Sequence, residues 1–382
     1  MNSKKIKEYL PVFISVILLI ILIIMPTGYE EALQYQGSER CVAKILDTDN
    51  ESIISIGLIK SGEQRCQLQL LNGKFKGETA VGINMLNGSM QMDKIYEPGD
   101  KAYVLVSHKE QEILTVSMID IYRIDKEILL AGIFVVVLVL FAGKTGVRAI
   151  LSFVVTVMMI WKILIPGYLN GNNPILLGFG ITLVLTIIII TLVYGFNSRA
   201  VSAVSGALLG VITTGIMGVL FTDLFQIHGA TMAYSESLLY SGYAHLNLTH
   251  IFMAGIFIGS SGAVTDLAVD ITSAVQEVVS KKPEIGWREA ALSGIRVGRA
   301  SVGTMTTTLL FAYSGGYIAL LMVFMAQGTP IYNILNYKFV AAEILDTMIG
   351  SIGLVTVAPF TAITSGFLLT RRKENHSTEK TD

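Results

Sequence analysis

The sequence predicts an α-helical polytopic membrane protein with about eight transmembrane helices and a small β-rich extracytoplasmic domain between the first and second. Three observations predict it. The chain is 52% hydrophobic and only 15% charged, and its apolar residues are gathered in long blocks, as helices that cross a bilayer require. One polar interval, residues 28–126, instead alternates apolar and polar residues at the period of a strand. The basic residues fall in alternate loops, which is the pattern that orients spans across a membrane. A net charge of −1 with no basic stripe leaves no electrostatic footprint for nucleic acid. The only cysteines, Cys41 and Cys66, form no CxxC pair, so a thiolate zinc or iron–sulfur centre is not expected.

The first apolar block is "YLPVFISVILLIILIIM", residues 9–25, preceded by Lys4, Lys5 and Lys7. The following "PTGYEEALQ" offers no small-residue cleavage site, so residues 1–27 read as a cytoplasmic tail and an uncleaved signal anchor. The β-rich domain, residues 28–126, carries six alternating runs: "RCVAKIL", "SIISIGLI", "QRCQLQLL", "ETAVGINML", "KAYVLVSH" and "ILTVSMID". Turn signals at Gly62, Asn72-Gly73, Asn87-Gly88 and Pro98-Gly99-Asp100 separate them, which predicts about six short strands closing into a barrel or sandwich. Cys41 and Cys66 both lie on the apolar alternate face of their runs. A disulfide and two buried free thiols are both compatible with that facing.

After Arg123 the apolar blocks return, near 128–142, 147–165, 174–194, 200–221, 250–271, 301–326 and 344–369. These make a seven-helix membrane domain, residues 127–370, before a cytoplasmic tail, residues 371–382. Lys144, Arg148, Arg199, Lys281, Lys282, Arg288, Arg296, Arg299, Arg371, Arg372 and Lys373 then fall on the side of the amino-terminal lysines, with Lys338 as the exception. Both termini are therefore expected in the cytoplasm and the β-rich domain outside it.

The runs "LIKSGEQRCQLQLLNGKFKGE" and "YEPGDKAYVLV", and further on "GAVTDLAVDITSAVQEV", "GRASVGTMTTTLLFAYSGG" and "EILDTMIGSIGLVTVAPFTA", resemble characteristic segments of the YibE/F-like bacterial membrane proteins. The resemblance runs from about Gly37 to the last span. It departs from the family pattern at Thr307, where relatives often have Asn, and at Asp346, where a basic residue is common. It implies a bacterial cytoplasmic-membrane protein of a family treated as transporters or efflux proteins, with no agreed substrate.

Several polar groups inside the spans are candidates for chemistry, because a bilayer tolerates ionisable residues chiefly where they function. Asp266, Asp270, Ser273 and Glu277 follow at steps of four, three and four, which puts them on one helical face. Orientation sets this stripe at the cytoplasmic end of the sixth span, with Asp266 inside the boundary and Glu277 in water. Arg296 and Arg299 lead into the next span and are candidate ion-pair partners for Asp266. Thr304, Thr306, Thr307 and Thr308 give that span hydroxyls on several faces, Gly303 offers close approach, and Gly315-Gly316 can interrupt the helix; such features either line a substrate path or serve the helix itself. Glu343 and Asp346, three apart, open the last span, as coupling groups or as a solvated helix start. His228, His245 and His250 lack ligand spacing, so no metal is expected, and GxSxG, P-loop and dinucleotide signatures are missing.

The expected function is secondary transport or export of an unknown small molecule or ion, coupled to protons or cations, with no cofactor and no enzymatic reaction. The bilayer is the first partner, and a partner membrane protein or a second copy is the next. The alternative is a membrane scaffold or assembly factor whose β domain binds a cell-envelope partner.

Overall fold

The computed structural model describes residues 3–29 and 38–378. The chain divides into two compact units, Gly28–Phe141, and Met1–Thr27 together with Ala142–Asp382.

The first unit holds β1 (Ser38–Asp49), β2 (Ile53–Ile56), β3 (Ile59–Leu70), β4 (Thr79–Asn87), β5 (Lys101–Lys109) and β6 (Glu112–Ile121). They are the six alternating runs, with the second run divided at Gly57 between the end of β2 and the start of β3. The ladder order is β1-β5-β6-β4-β3-β2, and β1 also pairs with β3, so five strands close a barrel and β2 folds back on β3 as a hairpin. Every pairing is antiparallel except β4 with β6. This is the connectivity of an OB-type Greek-key barrel. Alternation sends Cys41, Ala43 and Ile45 of β1, Cys66, Leu68 and Leu70 of β3, and Val104 and Val106 of β5 into one core, which Phe75 and Tyr96 complete from the connecting loops.

One polar knot is buried in that core. The Gln64 carbonyl accepts from the Tyr96 N–H and the Asn84 amide, both at 3.0 Å, while its own amide donates to the Tyr96 carbonyl at 2.9 Å. Each partner is thus satisfied away from water, and the segment after β4 is fastened across the barrel end.

Both cysteines are free and buried, which is the second of the two readings their facing allowed, and the possible disulfide is not formed. The two strands do pair, but in a register that sets Cys66 opposite Thr48, seven residues from Cys41. At strand rise that is roughly 23 Å along the sheet, far beyond the ~7 Å limit for bridged Cα atoms.

The helices are α1 (Ser3–Ile24), α2 (Ile124–Met159), α3 (Ile165–Leu169), α4 (Pro174–Tyr194), α5 (Ser198–Leu224), α6 (Ser235–Tyr240), α7 (Leu248–Lys281), α8 (Trp287–Ser314), α9 (Ile318–Ala326), α10 (Ile331–Leu335) and α11 (Lys338–Thr378). Among the described residues, six helical stretches are long and apolar enough to cross a membrane: Ile124–Leu169, Pro174–Tyr194, Ser198–Leu224, Leu248–Lys281, Trp287–Ala326 and Lys338–Arg371. The expected count of eight is therefore corrected to six, with the barrel ahead of them. The expected spans 128–142 and 147–165 both fall within the stretch Ile124–Leu169, where the helical backbone breaks at Gly143 (φ 55°, ψ −127°) between two helical segments and a wide π turn at Ile160–Leu164 carries the second on into α3. The first apolar block lies in α1 (Ser3–Ile24), which is apolar over Tyr9–Ile24 among the described residues.

In the second unit α11 packs on α8, α5 and α7. Lipid tails are as apolar as leucine, so such helices are held by close packing rather than by escape from water. The sequence supplies the small residues this needs. A side chain at Gly206 would strike Thr361, and one at Gly353 would strike Thr214. Gly294 and Gly298 on α8 lie against Ala362 and Ala358 on α11. Leu22 of α1 is buried among Val155, Met159, Leu164, Ile181 and Leu185. Lys162, within the π turn, donates to the Met25 carbonyl beyond the end of α1 at 2.7 Å.

Candidate functional site

The acidic stripe of α7 is real and faces outward. Asp266, Asp270, Ser273 and Glu277 are all exposed, while Val264, Leu267, Ala268 and Ile271 of the same helix are buried. Ser273 shares a 2.6 Å hydrogen bond with Tyr194 of α4, whose hydroxyl also donates to the Val269 carbonyl. Glu277 pairs with Lys281 one turn on, at 3.0 Å. Arg296 and Arg299 are exposed on α8, and among the described residues neither forms an ion pair with Asp266 or Asp270.

The threonines of α8 also face away from the bundle interior. Thr304, Thr307 and Thr308 are exposed, and each hydroxyl donates to a carbonyl of its own helix three or four residues earlier: Ser301, Gly303 and Thr304 respectively. The purely helical use of these hydroxyls is therefore the one seen. Gly303 meets nothing within 4 Å, so the close approach expected there occurs instead at Gly294 and Gly298. The Gly315-Gly316 interruption is present, as a 3₁₀ turn over Gly315–Tyr317 between α8 and α9.

The structure assembles a different constellation around Glu343. Two turns into α11, Glu343 Oε1, Asp346 Oδ1 and Thr347 Oγ1 are buried without a hydrogen-bond partner, and so is the Tyr313 hydroxyl of α8. Tyr313 and Tyr317 both lie within electrostatic reach of the two acids. Two helical glycines make the room. A side chain at Gly259 of α7 would meet the Tyr313 hydroxyl at 2.8 Å, and Gly350 of α11 sits against Ser260 and the Tyr313 ring. Among the described residues no lysine, arginine or histidine forms an ion pair with either carboxylate. Two carboxyl groups three residues apart, half-buried with one oxygen of each fully enclosed and with no basic partner among the described residues, suit a proton, a cation or water.

Sequence reasoning marked Glu343 and its neighbour Asp346, and missed Tyr313, Tyr317 and Thr347. The tyrosines sit on the apolar run that follows the threonines, where nothing in spacing alone aims them at α11. The glycines at 259 and 350 were the available signal, since a glycine facing a neighbouring helix marks where a large side chain has been let in.

The fold and these groups define a class, a multi-pass membrane protein with a small β barrel ahead of its long apolar helices. The chain belongs to the YibE/F-like family: residues 130–371 match the family model described as YibE/F-like protein, and residues 38–121 match the YibE/F family N-terminal domain. No curated protein and no solved structure matches the chain.

Proposed function

We propose that this protein is a secondary transporter or exporter of the bacterial cytoplasmic membrane, coupled to protons or cations through Glu343 and Asp346. The observation that carries the reading is the set of four buried, unpartnered oxygens on Glu343, Asp346, Thr347 and Tyr313. A membrane anchor needs no such group, and leaving one unsatisfied in an apolar setting is costly. The exposed stripe headed by Asp266 is then a cytoplasmic rim, not the coupling site. The orientation behind that statement comes from the loops. Arg199 at the start of α5, Lys281 and Lys282 at the end of α7, Arg288 at the start of α8 and Arg371 in α11 all fall at one end of the antiparallel run of spans, the cytoplasmic end by the positive-inside rule.

Proteoliposomes on a solid-supported membrane test the coupling without a known substrate, because a pH step that loads a proton site displaces charge. The protein is expected to give a transient that is absent when Glu343→Gln and Asp346→Asn are combined and is kept by Asp266→Asn. A transient unchanged in the double variant removes the coupling role. The scaffold reading is supported by a separate observation, the exposed apolar row Val81, Ile83 and Met85 along β4. In an OB barrel that strand belongs to the ligand-binding face, and a protein that gives no transient at all favours this second reading.

A further inference from the structure

The β2–β3 hairpin ends in four large apolar side chains that nothing covers. Ile54, Ile56 and Leu58 are 63%, 72% and 81% exposed, and Ile59 is also exposed. Met90 and Met92, in the connection after β4, are exposed as well. Leu58 and Met90 line a shallow cleft with Leu86 and Ile95, whose polar edge is Lys60, Ser89 and Asp93. A water-soluble barrel seldom gathers exposed aliphatic residues at one end unless that end meets another apolar surface.

The ladders fix which end this is. β4 runs parallel to β6 with Ile83 beside Ser117, so Ile121, four residues further on, is level with Asn87. Asn87 pairs with Ser61 of β3. The tip at Gly57 and Leu58 lies three to four residues beyond Ser61, roughly 10–13 Å at strand rise. Only Tyr122 and Arg123 separate the end of β6 from the start of α2 at Ile124. Those residues are held to the barrel: the Tyr122 N–H donates to the Lys101 carbonyl at 2.8 Å, and Asp125 in the first turn of α2 pairs with Lys101 at 3.0 Å. The hairpin tip and the first turn of a membrane-crossing helix thus lie at the same end of the barrel and at a similar height.

We infer that this end of the barrel rests on the bilayer, and that Ile54, Ile56, Leu58 and Ile59 insert into the lipid interface beside the first turn of α2. The occupant is lipid because the patch lies at the barrel end from which the candidate span Ile124–Leu169 leaves. Ile128 and Leu129, in the second turn of α2, are fully outward apolar residues of a candidate span. With two linking residues there is no slack to lift the hairpin clear of the headgroups. Tyr122, Arg123 and Lys126 supply the aromatic and basic residues typical of that boundary. Insertion of a few aliphatic side chains beside an anchor holds the domain at a set height, as for other interfacial segments.

The test uses the full chain in lipid nanodiscs. Leu58→Cys, at an exposed site that tolerates change, carries an environment-sensitive fluorophore, and Lys76→Cys in the β3–β4 loop at the opposite end of the barrel carries the same label as control. Cys41 and Cys66 are buried and do not compete in the folded protein. With nitroxide-bearing phospholipid in the disc, the label at position 58 is expected to lose most of its emission and the label at position 76 to keep it. Equal emission at both positions, with a water-like spectrum at 58, overturns the inference. So does a blue-shifted but unquenched label at 58, which would put a protein surface there, whether a second copy or another partner.

Discussion

Gln64 closes four side-chain hydrogen bonds at one end of the barrel, to Asn50, to Asn84 and to both the N–H and the carbonyl of Tyr96. Replacing it by leucine keeps the volume but leaves the Tyr96 N–H and carbonyl and the Asn84 amide buried with a partner lost. The expected cost is about 2–4 kcal/mol, since each unmet buried group loses its hydration without return. Hydrogen exchange across residues 79–96 reads it directly as faster opening of that segment; unchanged exchange would show that the knot contributes nothing net. Cys66 gives a pH dependence in the same core. Burial pushes its thiol from 9.0 up to about 11. The folded value lies above the unfolded one, so the contribution is intact below pH ~9 and is lost as the pH rises toward ~11, reaching about 2–3 kcal/mol. Denaturant titrations between those limits should show the loss, and Cys66→Ala should flatten it. The inward facing of both thiols was legible from alternation alone, because strand period fixes facing. Their pairing was not, because register depends on a shift in β1 between Ile45 and Asp47 that no local pattern announces. The acid pair at 343 and 346 was likewise visible as residues and invisible as a buried cluster, since its burial is conferred by Gly259 and Gly350 on two helices.

Among elements, α11 depends most on close contact. Gly206→Ala would drive a methyl group into the backbone of Thr361, separating α5 from α11, and overpacking of this kind costs about 1–3 kcal/mol. Gly262 of α7 faces open space, so Gly262→Ala should be neutral or slightly stabilising through helix propensity. Thermal inactivation of the detergent-solubilised protein, followed by the monodisperse fraction on size exclusion, should separate the two variants; equal losses would disprove packing by small residues as the main tie. The helical stretches themselves were legible from composition, but their polar ends were not: α7 runs on to Lys281 where the expected span stops at 271, and α8 starts at Trp287 where the expected span begins at 301. Their count was not, because the break between two expected spans rests on a single residue. Gly143 adopts φ 55° and ψ −127°, a conformation open to glycine and to few others, while Lys144 and Thr145 return to the helix.

At the scale of the whole molecule the proposed topology rests on two independent observations. α5, α7, α8 and α11 belong to successive long apolar stretches, so the turns before α5 and between α7 and α8, and the end of α11, lie on one side of the membrane whatever the first stretch does. The basic residues at those same places, Arg199, Lys281, Lys282, Arg288 and Arg371, lead the positive-inside rule to predict that this side is the cytoplasmic one. The connections 225–247 and 327–337 then face away from it. Neither fact depends on the acid cluster, yet together they locate it. Glu343 and Asp346 lie two turns from the start of α11, near the connection 327–337 and far from the Lys282–Gly286 turn, so the proposed topology sets the site toward the extracytoplasmic side. Single cysteines at Glu284, Tyr243 and Tyr332, probed with an impermeant maleimide in right-side-out and inverted vesicles, test the map. Tyr243→Cys and Tyr332→Cys should label from outside and Glu284→Cys only in inverted vesicles. The reverse pattern would turn the protein over and move the acid pair to the cytoplasmic side. Labelling of all three from one face would mean that the stretches between them do not cross, and would remove the membrane setting on which the coupling site rests.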